Sequence, residues 1–201
     1  MHVIDKIKTV HEGWGRFHLV TVRNGAGETF VRQVEDHGEA VCVLPYDPGR
    51  GCVMLVRQPR VGPLFTDRDS MLVEAPAGLT DGESPAIAGM REVEEETGIA
   101  LAALEPAGSL WTMPGCATER MHCFLAPYCA GDRVSAGGGA PGENEEIETV
   151  ELPLAEAFAM LKDGRIEDMK TTYLLQALAL RHPGLAEDSG GQADPGASRR
   201  S

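Results

Sequence analysis

Basic residues are scarce in this chain. Lys and Arg number 18 against 31 Asp and Glu, a formal net charge of −13. That balance excludes the general cationic surface by which proteins hold nucleic acid or anionic membrane. A phosphate-bearing ligand would need metal ions or a few placed arginines to overcome the repulsion. Long apolar runs are also missing. None approaches the roughly 18 residues of a membrane span, and Met1-His2-Val3-Ile4-Asp5-Lys6 lacks the apolar segment of a secretory signal. The five cysteines (Cys42, Cys52, Cys116, Cys123 and Cys129) form no C-x-x-C pair and no zinc-type grouping with histidine. They read as reduced thiols, and the expected setting is the cytoplasm.

What is present suits one domain with extensions: 201 residues, 42% of them hydrophobic. His18–Arg23 and Thr29–Arg32 flank Asn24-Gly25, which predicts a hairpin within a set of short N-terminal strands. Ala40–Leu44 and Cys52–Val56 are apolar strands joined by turn residues, and further strands are expected at Ser109–Trp111, Met121–Leu125 and Ile147–Leu152. Trp111 and Phe124 sit in strand-like runs and read as core; His37, beside Gly38, reads as a turn residue. Residues 84–97 read as a helix with Ser84 as N-cap, Pro85 in the first turn and Gly98 as C-cap, placing Ala86, Met90, Val93 and Thr97 on one face. Leu154–Leu161 and Thr171–Leu180 are the other helices. The order does not alternate strictly, so a mixed sheet between helices is expected, an α+β fold of the α/β/α sandwich type. The expected division is an N-terminal β extension over 1–38, a main domain over 39–181 and, where large apolar residues nearly vanish, a disordered tail over 182–201.

The chemistry concentrates in the helix at 84–97. Glu92 and Glu96 are four residues apart and Glu95 is three from Glu92, so three carboxylates share one face. Such crowding costs about a few tenths of a kcal/mol per pair in a plain solvated helix. A divalent ion converts that cost into a binding site, and oxygen donors without His or Cys select hard ions such as Mg²⁺ or Mn²⁺. A solvated acidic face is the alternative that an isolated E-x-x-E-E leaves open.

The surrounding residues decide between these. Gly78, then Glu83, then Arg91-Glu92-Val93-Glu94-Glu95-Glu96-Thr97-Gly98-Ile99 resembles the Nudix box, G-x5-E-x7-R-E-U-x-E-E-x-G-U with U a bulky aliphatic. From Glu83 to Ile99 every specified position matches; between Gly78 and Glu83 one residue fewer intervenes than the pattern asks. The resemblance covers roughly residues 15–181 and is strongest to the branch that hydrolyses nucleoside diphosphate sugars, the ADP-ribose and GDP-mannose pyrophosphatases. Gln58-Pro59-Arg60, Glu74-Ala75-Pro76-Ala77-Gly78, Met113-Pro114-Gly115 with Glu119, the glycines at 137–139 and Lys170-Thr171 carry that part.

The resemblance implies a Mg²⁺-dependent pyrophosphohydrolase. Its metal ligands would be Glu92 and Glu96, assisted by Glu95, the Ala77 carbonyl and Glu145. Arg91 would orient a glutamate, and Glu83 would hold the box loop to the helix. Glu143-Asn144-Glu145-Glu146-Ile147 matches the branch's distant acidic loop, which makes Glu143 the expected general base, with Glu146 as the alternative; the glycines ahead of it suggest a mobile loop closing over substrate. Arg32, Arg60 and Glu119 are the expected substrate contacts, Arg32 reaching a partner subunit's site from the N-terminal sheet of a homodimer. A Nudix enzyme for another nucleoside diphosphate or dinucleotide, and a catalytically silent binding module, remain the competing readings.

Overall fold

The hairpin signal near the N-terminus becomes a three-stranded antiparallel sheet in the computed structural model, which describes residues 1–140 and 146–188. Its strands are β1 (Val3–Glu12), β2 (Arg16–Arg23) and β3 (Thr29–Asp36). The connection from β2 to β3 is longer than a two-residue Asn-Gly turn. Asn24 Oδ1 accepts the N–H groups of Ala26 and Glu28, both at 3.0 Å, so the side chain organises a five-residue loop, 24–28. All ten residues of β1 are exposed, among them Ile4 at 62% and Ile7 at 59%.

The rest of the described chain continues with β4 (Ala40–Asp47), β5 (Cys52–Pro59), α1 (Val61–Phe65), β6 (Met71–Glu74), β7 (Ala77–Leu79), α2 (Pro85–Thr97), β8 (Glu105–Trp111), β9 (Arg120–Pro127), β10 (Glu148–Pro153), α3 (Leu154–Asp163), α4 (Met169–Arg181) and α5 (Pro183–Asp188). Its sheet runs β10-β5-β4-β9-β8, mixed because β4 and β9 are parallel while the other pairs are antiparallel. Every residue of β4 is buried, which its unbroken apolar run requires of a strand covered on both faces. Ala40, Cys42, Leu44 and Tyr46 pack with Leu154, Leu174 and Leu178 of α3 and α4, while Val41 and Val43 pack with Ala88 and Val93 of α2. The α/β/α sandwich expected from the element order is the architecture found.

Strands β4 and β5 pair only at Tyr46↔Val53 and Asp47↔Cys52, then diverge. Two short strands fill the gap: β6 continues along β5, and β7 along β4. The chain crosses from one to the other at Ala75-Pro76, and this opening in the sheet positions the site described below.

Two expectations are corrected here. On α2 the buried residues are Ala88, Gly89, Val93, Glu96 and Thr97, and Ala86 is exposed. The helix meets the sheet through its smallest residues, a preference that an apolar stripe drawn through Met90 misses. Ser84 occupies the N-cap position without a side-chain capping bond. At the other end, the segment expected to be disordered from 182 begins as structure. His182 Nε2 lies 2.9 Å from Glu105 Oε2, and Leu185 of α5 packs on the core. Low apolar content concealed these two anchors; residues 189–201 of that segment lie outside the described residues. Among the described residues no helix is long and apolar enough to cross a membrane.

Candidate functional site

Where β7 meets α2, a cleft of about 460 Å³ opens, lined by Ala77, Gly78, Arg91 and Glu92 with Arg60 and Trp14 at its sides. An adjoining cavity of about 330 Å³ shares Arg60, Trp14 and Ala77 and adds Glu74, Glu119 and Lys170. Both clefts lie along the line where the sheet divides.

The acidic helix presents its glutamates at graded depth. Glu96 is buried at 2% exposure, Glu92 has 14% of its side chain exposed and Glu95 34%. Arg91 gathers them. Its guanidinium lies 2.8 Å from Glu92, donates at 2.9 Å to both Glu83 and Glu95, and reaches the Leu79 carbonyl at 3.3 Å. Burial opposes a charge on Arg91, but Glu83, Glu92 and Glu95 more than offset it and hold the guanidinium above its ordinary value. Gly78 explains how Glu92 comes so close to the sheet: a Cβ there would stand 2.2 Å from the Glu92 carboxyl carbon. Only glycine at 78 leaves room for that carboxylate where it lies. The short approach from Gly78 to Glu83 closes as a tight turn, with Glu83 N–H bonded to Thr80 O at 2.8 Å and Asp81 in the left-handed region at φ 48.

Among the described residues no three His, Cys, Asp or Glu side chains form a finished metal cage. The Arg91 guanidinium bridges Glu92 and Glu95, and one of the expected donors, Glu145, is not among the described residues. The groups that do lie together are carboxylates beside a backbone cradle that a Cβ would fill, a donor set that fits a hard divalent cation. Glu143 and Glu145 lie outside the described residues.

The glycines ahead of them are bonded to the end of α2. Gly138 N–H donates to Glu96 O at 2.9 Å and Gly139 N–H to Glu95 O at 3.0 Å. These are carbonyls that the end of α2 leaves without helical partners. Gly137 has φ 72, and a Cβ on it would stand 2.4 Å from Glu96 O, so the run is fitted closely onto the helix end. Arg133 then joins both flanks of 141–145, donating to Ala136 O at 3.2 Å and Thr149 Oγ1 at 3.3 Å.

The remaining expected residues are placed unequally. Arg60 lines both cavities, yet it makes a two-pronged bond to Glu74 at 2.9 Å on each oxygen. Glu74 is 1% exposed. Burial raises its carboxyl, but Arg60 and Lys170 outweigh that and leave it below the ordinary range. Arg32 lies on β3 with its guanidinium 4.4 Å over the Phe30 ring, and it lines neither of the two cavities. Glu119 lines the second and bonds His37 Nε2 at 2.9 Å.

His37 is therefore more than a turn residue. It also stacks on Trp14, with centroids 4.9 Å apart and planes 26° from parallel. Trp14 is 77% exposed at the mouth of both clefts. Sequence reasoning passed over it, because a lone aromatic between Gly13 and Gly15 belongs to no periodic pattern. Trp111, expected in the core, is 51% exposed under Arg120, whereas Phe124 is buried. All five cysteines are free thiols.

Comparison with known proteins supplies the family. The NUDIX domain model matches residues 36–175. A GDP-mannose pyrophosphatase of Pectobacterium atrosepticum is 42% identical over 184 residues, covering 89% of this chain and 94% of that one. A protein of the same name from Cronobacter sakazakii is 40% identical over 163 residues, covering 81% and 84%. In fold, the chain is similar to a crystal structure of an ADP compounds hydrolase, with a TM-score of 0.74 over 91% of this chain and 95% of that one, at 24% identity. With the domain model spanning most of the chain, and relatives near 40% identity along most of its length, the chain belongs to the Nudix family.

Proposed function

We propose that this protein hydrolyses the pyrophosphate bond of a nucleoside diphosphate sugar, of the GDP-mannose or ADP-ribose type, giving a nucleoside monophosphate and a sugar phosphate. The observation that carries this reading is Glu92 held against Gly78 at the floor of an open cleft, in a chain 42% identical to a GDP-mannose pyrophosphatase. Glu92 and Glu96, with Glu95, Glu145 and the Ala77 carbonyl, hold Mg²⁺ or Mn²⁺. When bound, the cation supplies charge neutralisation at the phosphate oxygens. Arg91 keeps the glutamates in register. Glu143 takes the proton from the attacking water; the reading rests on its place in the Glu143-Asn144-Glu145-Glu146-Ile147 run, which follows glycines whose N–H groups bond the end of α2.

Substrate binding falls to the walls of the cleft. Arg60 and Glu119 line it, and Trp14, backed by His37, offers an aromatic face for a nucleobase. Arg32 serves the site of a second copy. The exposed apolar residues of β1, in a strand with one unpaired edge, support a homodimer formed through the N-terminal sheet. Sedimentation should then give twice the 21.5 kDa chain mass, and a monomer at micromolar concentration would remove the role given to Arg32. Five free thiols suit a reducing cytoplasmic setting.

The test is a panel of GDP-mannose, ADP-ribose, a dinucleotide and a nucleoside diphosphate, each with Mg²⁺. Release of a nucleoside monophosphate from the sugar nucleotides supports the reading. A preference for the dinucleotide or the plain diphosphate would move the substrate class, and no turnover of any of them would overturn the enzyme. Trp14→Ala should raise KM about tenfold, in line with the ~1–3 kcal/mol of base stacking on an aromatic ring, and leave kcat nearly unchanged. An unaltered KM would discard Trp14 as the base platform.

A further inference from the structure

The crossing from β6 to β7 is held from outside the sheet. Ala75 lies beyond the last β5–β6 pair, Val56↔Glu74, and before the β4–β7 pair Cys42↔Ala77. It is fully buried, and its N–H donates to Thr171 Oγ1 at 2.7 Å. Thr171, also fully buried, is the third residue of α4. Its hydroxyl donates in turn to Asp168 Oδ2 at 2.5 Å, the same oxygen that caps α4 by accepting Thr171 N–H at 2.8 Å. Asp168 Oδ1 accepts from Lys170 at 3.0 Å, and Lys170 also bonds Glu74, the last residue of β6. Pro76 O accepts Val43 N–H at 3.0 Å. Three consecutive residues, Glu74, Ala75 and Pro76, are thus anchored, two of them to the first turn of α4. The next two are Gly78, against which the Glu92 carboxylate lies, and Ala77, which lines the same cleft.

We propose that Thr171 is a positioning residue of the catalytic centre. Its hydroxyl carries the orientation of the α4 N-terminus to the Ala75 amide, and so fixes the Ala77 backbone beside which Glu92 holds a divalent cation. This rests on the reading of Ala77 and Glu92 as metal-holding groups. A buried N–H without a partner is costly. If the hydroxyl is lost, the Ala75 segment must move toward another acceptor, and Ala77 moves with it. Threonine rather than valine is required because the same shape without oxygen leaves both Ala75 N–H and Asp168 short of a bond.

The decisive measurement is Mn²⁺ binding to the full chain without substrate, followed by the paramagnetic resonance of the free ion. Thr171→Val should weaken Mn²⁺ binding roughly tenfold, the lower end of what removal of an outer partner of a metal site costs. Thr171→Ser, which keeps the hydroxyl, should stay within about threefold of the unsubstituted protein. On the sugar nucleotide, Thr171→Val should lower kcat more than it raises KM. Equal Mn²⁺ binding by the folded valine variant and the unsubstituted protein overturns the proposal alone. Equal weakening by serine and valine also overturns it, since packing rather than the hydroxyl would then be responsible. No Mn²⁺ binding by the unsubstituted protein overturns the metal reading and this proposal with it. Should Thr171→Val fail to fold, Asp168→Asn keeps an oxygen cap on α4 while weakening the anchor of the hydroxyl. It should weaken Mn²⁺ binding about threefold, and unchanged binding counts against the proposal.

Discussion

Glu92→Gln is expected to lower kcat by about a thousandfold or more on the preferred sugar nucleotide, equivalent to ~4 kcal/mol of transition-state stabilisation. The substitution preserves the size of the side chain and its fit against Gly78, where a Cβ would stand 2.2 Å from the carboxyl carbon, so packing changes little. It removes one negative charge from the group that lies against Gly78. It also weakens the 2.8 Å contact with Arg91, freeing that guanidinium to repel an incoming cation. Both effects act on the metal, so Mn²⁺ affinity should fall together with kcat. The measurement is steady-state turnover at saturating Mg²⁺, with circular dichroism as a check on folding. A folded Glu92→Gln protein keeping more than about a tenth of the activity, against the several kcal/mol at stake, would show that the metal is held elsewhere.

Glu143→Gln should separate proton transfer from metal binding. A positioned general base contributes about 10²–10⁴-fold, so kcat should fall within that range. Mg²⁺ affinity should stay within about twofold, because the amide leaves the α2 ligands intact. The acidic limb of the pH–rate profile, which reports the base losing its proton, should disappear in the variant. If Glu143→Gln keeps near-full activity and Glu146→Gln loses it, the base is Glu146. Should neither change matter, the acidic loop is not the source of the base. This experiment differs in kind from the Glu92 one: two glutamates of one site are expected to give similar losses of turnover and opposite results for metal affinity.

The parts of this molecule that were legible in its sequence are those fixed by local spacing. The box helix could be placed because Arg91, the glutamates and Gly98 occupy set intervals on 3.6-residue turns, and Gly98 does end α2 in the left-handed conformation at φ 73. Strands β4, β5 and β9 announced themselves by apolar runs long enough to be buried on both faces. β1 did not, because no core face sorts its side chains. β6 and β7 were hidden for another reason. They have four and three residues, and their existence depends on two longer strands diverging beside them. The chemistry around Arg60 was legible only in part. Glu74, Asp168 and Lys170 join it from positions up to 110 residues apart (170 − 60), and pairing at that separation follows from topology rather than spacing. Trp14 and His37 meet for the same reason, one from the turn before β2 and the other from the end of β3.

Arg91 has a consequence for how this protein lives without its cation. In many small metal-binding domains the ion is the fold, and removing it unfolds the chain. Here the repulsion among Glu83, Glu92 and Glu95 is already answered by a guanidinium that belongs to the chain and never dissociates. Part of the helix's negative charge is consequently offset in advance, by a resident counter-ion that an arriving dication must displace or share. Such a protein would tolerate chelation as a pause rather than an injury: silent while stripped, structurally intact, and restored when the ion returns.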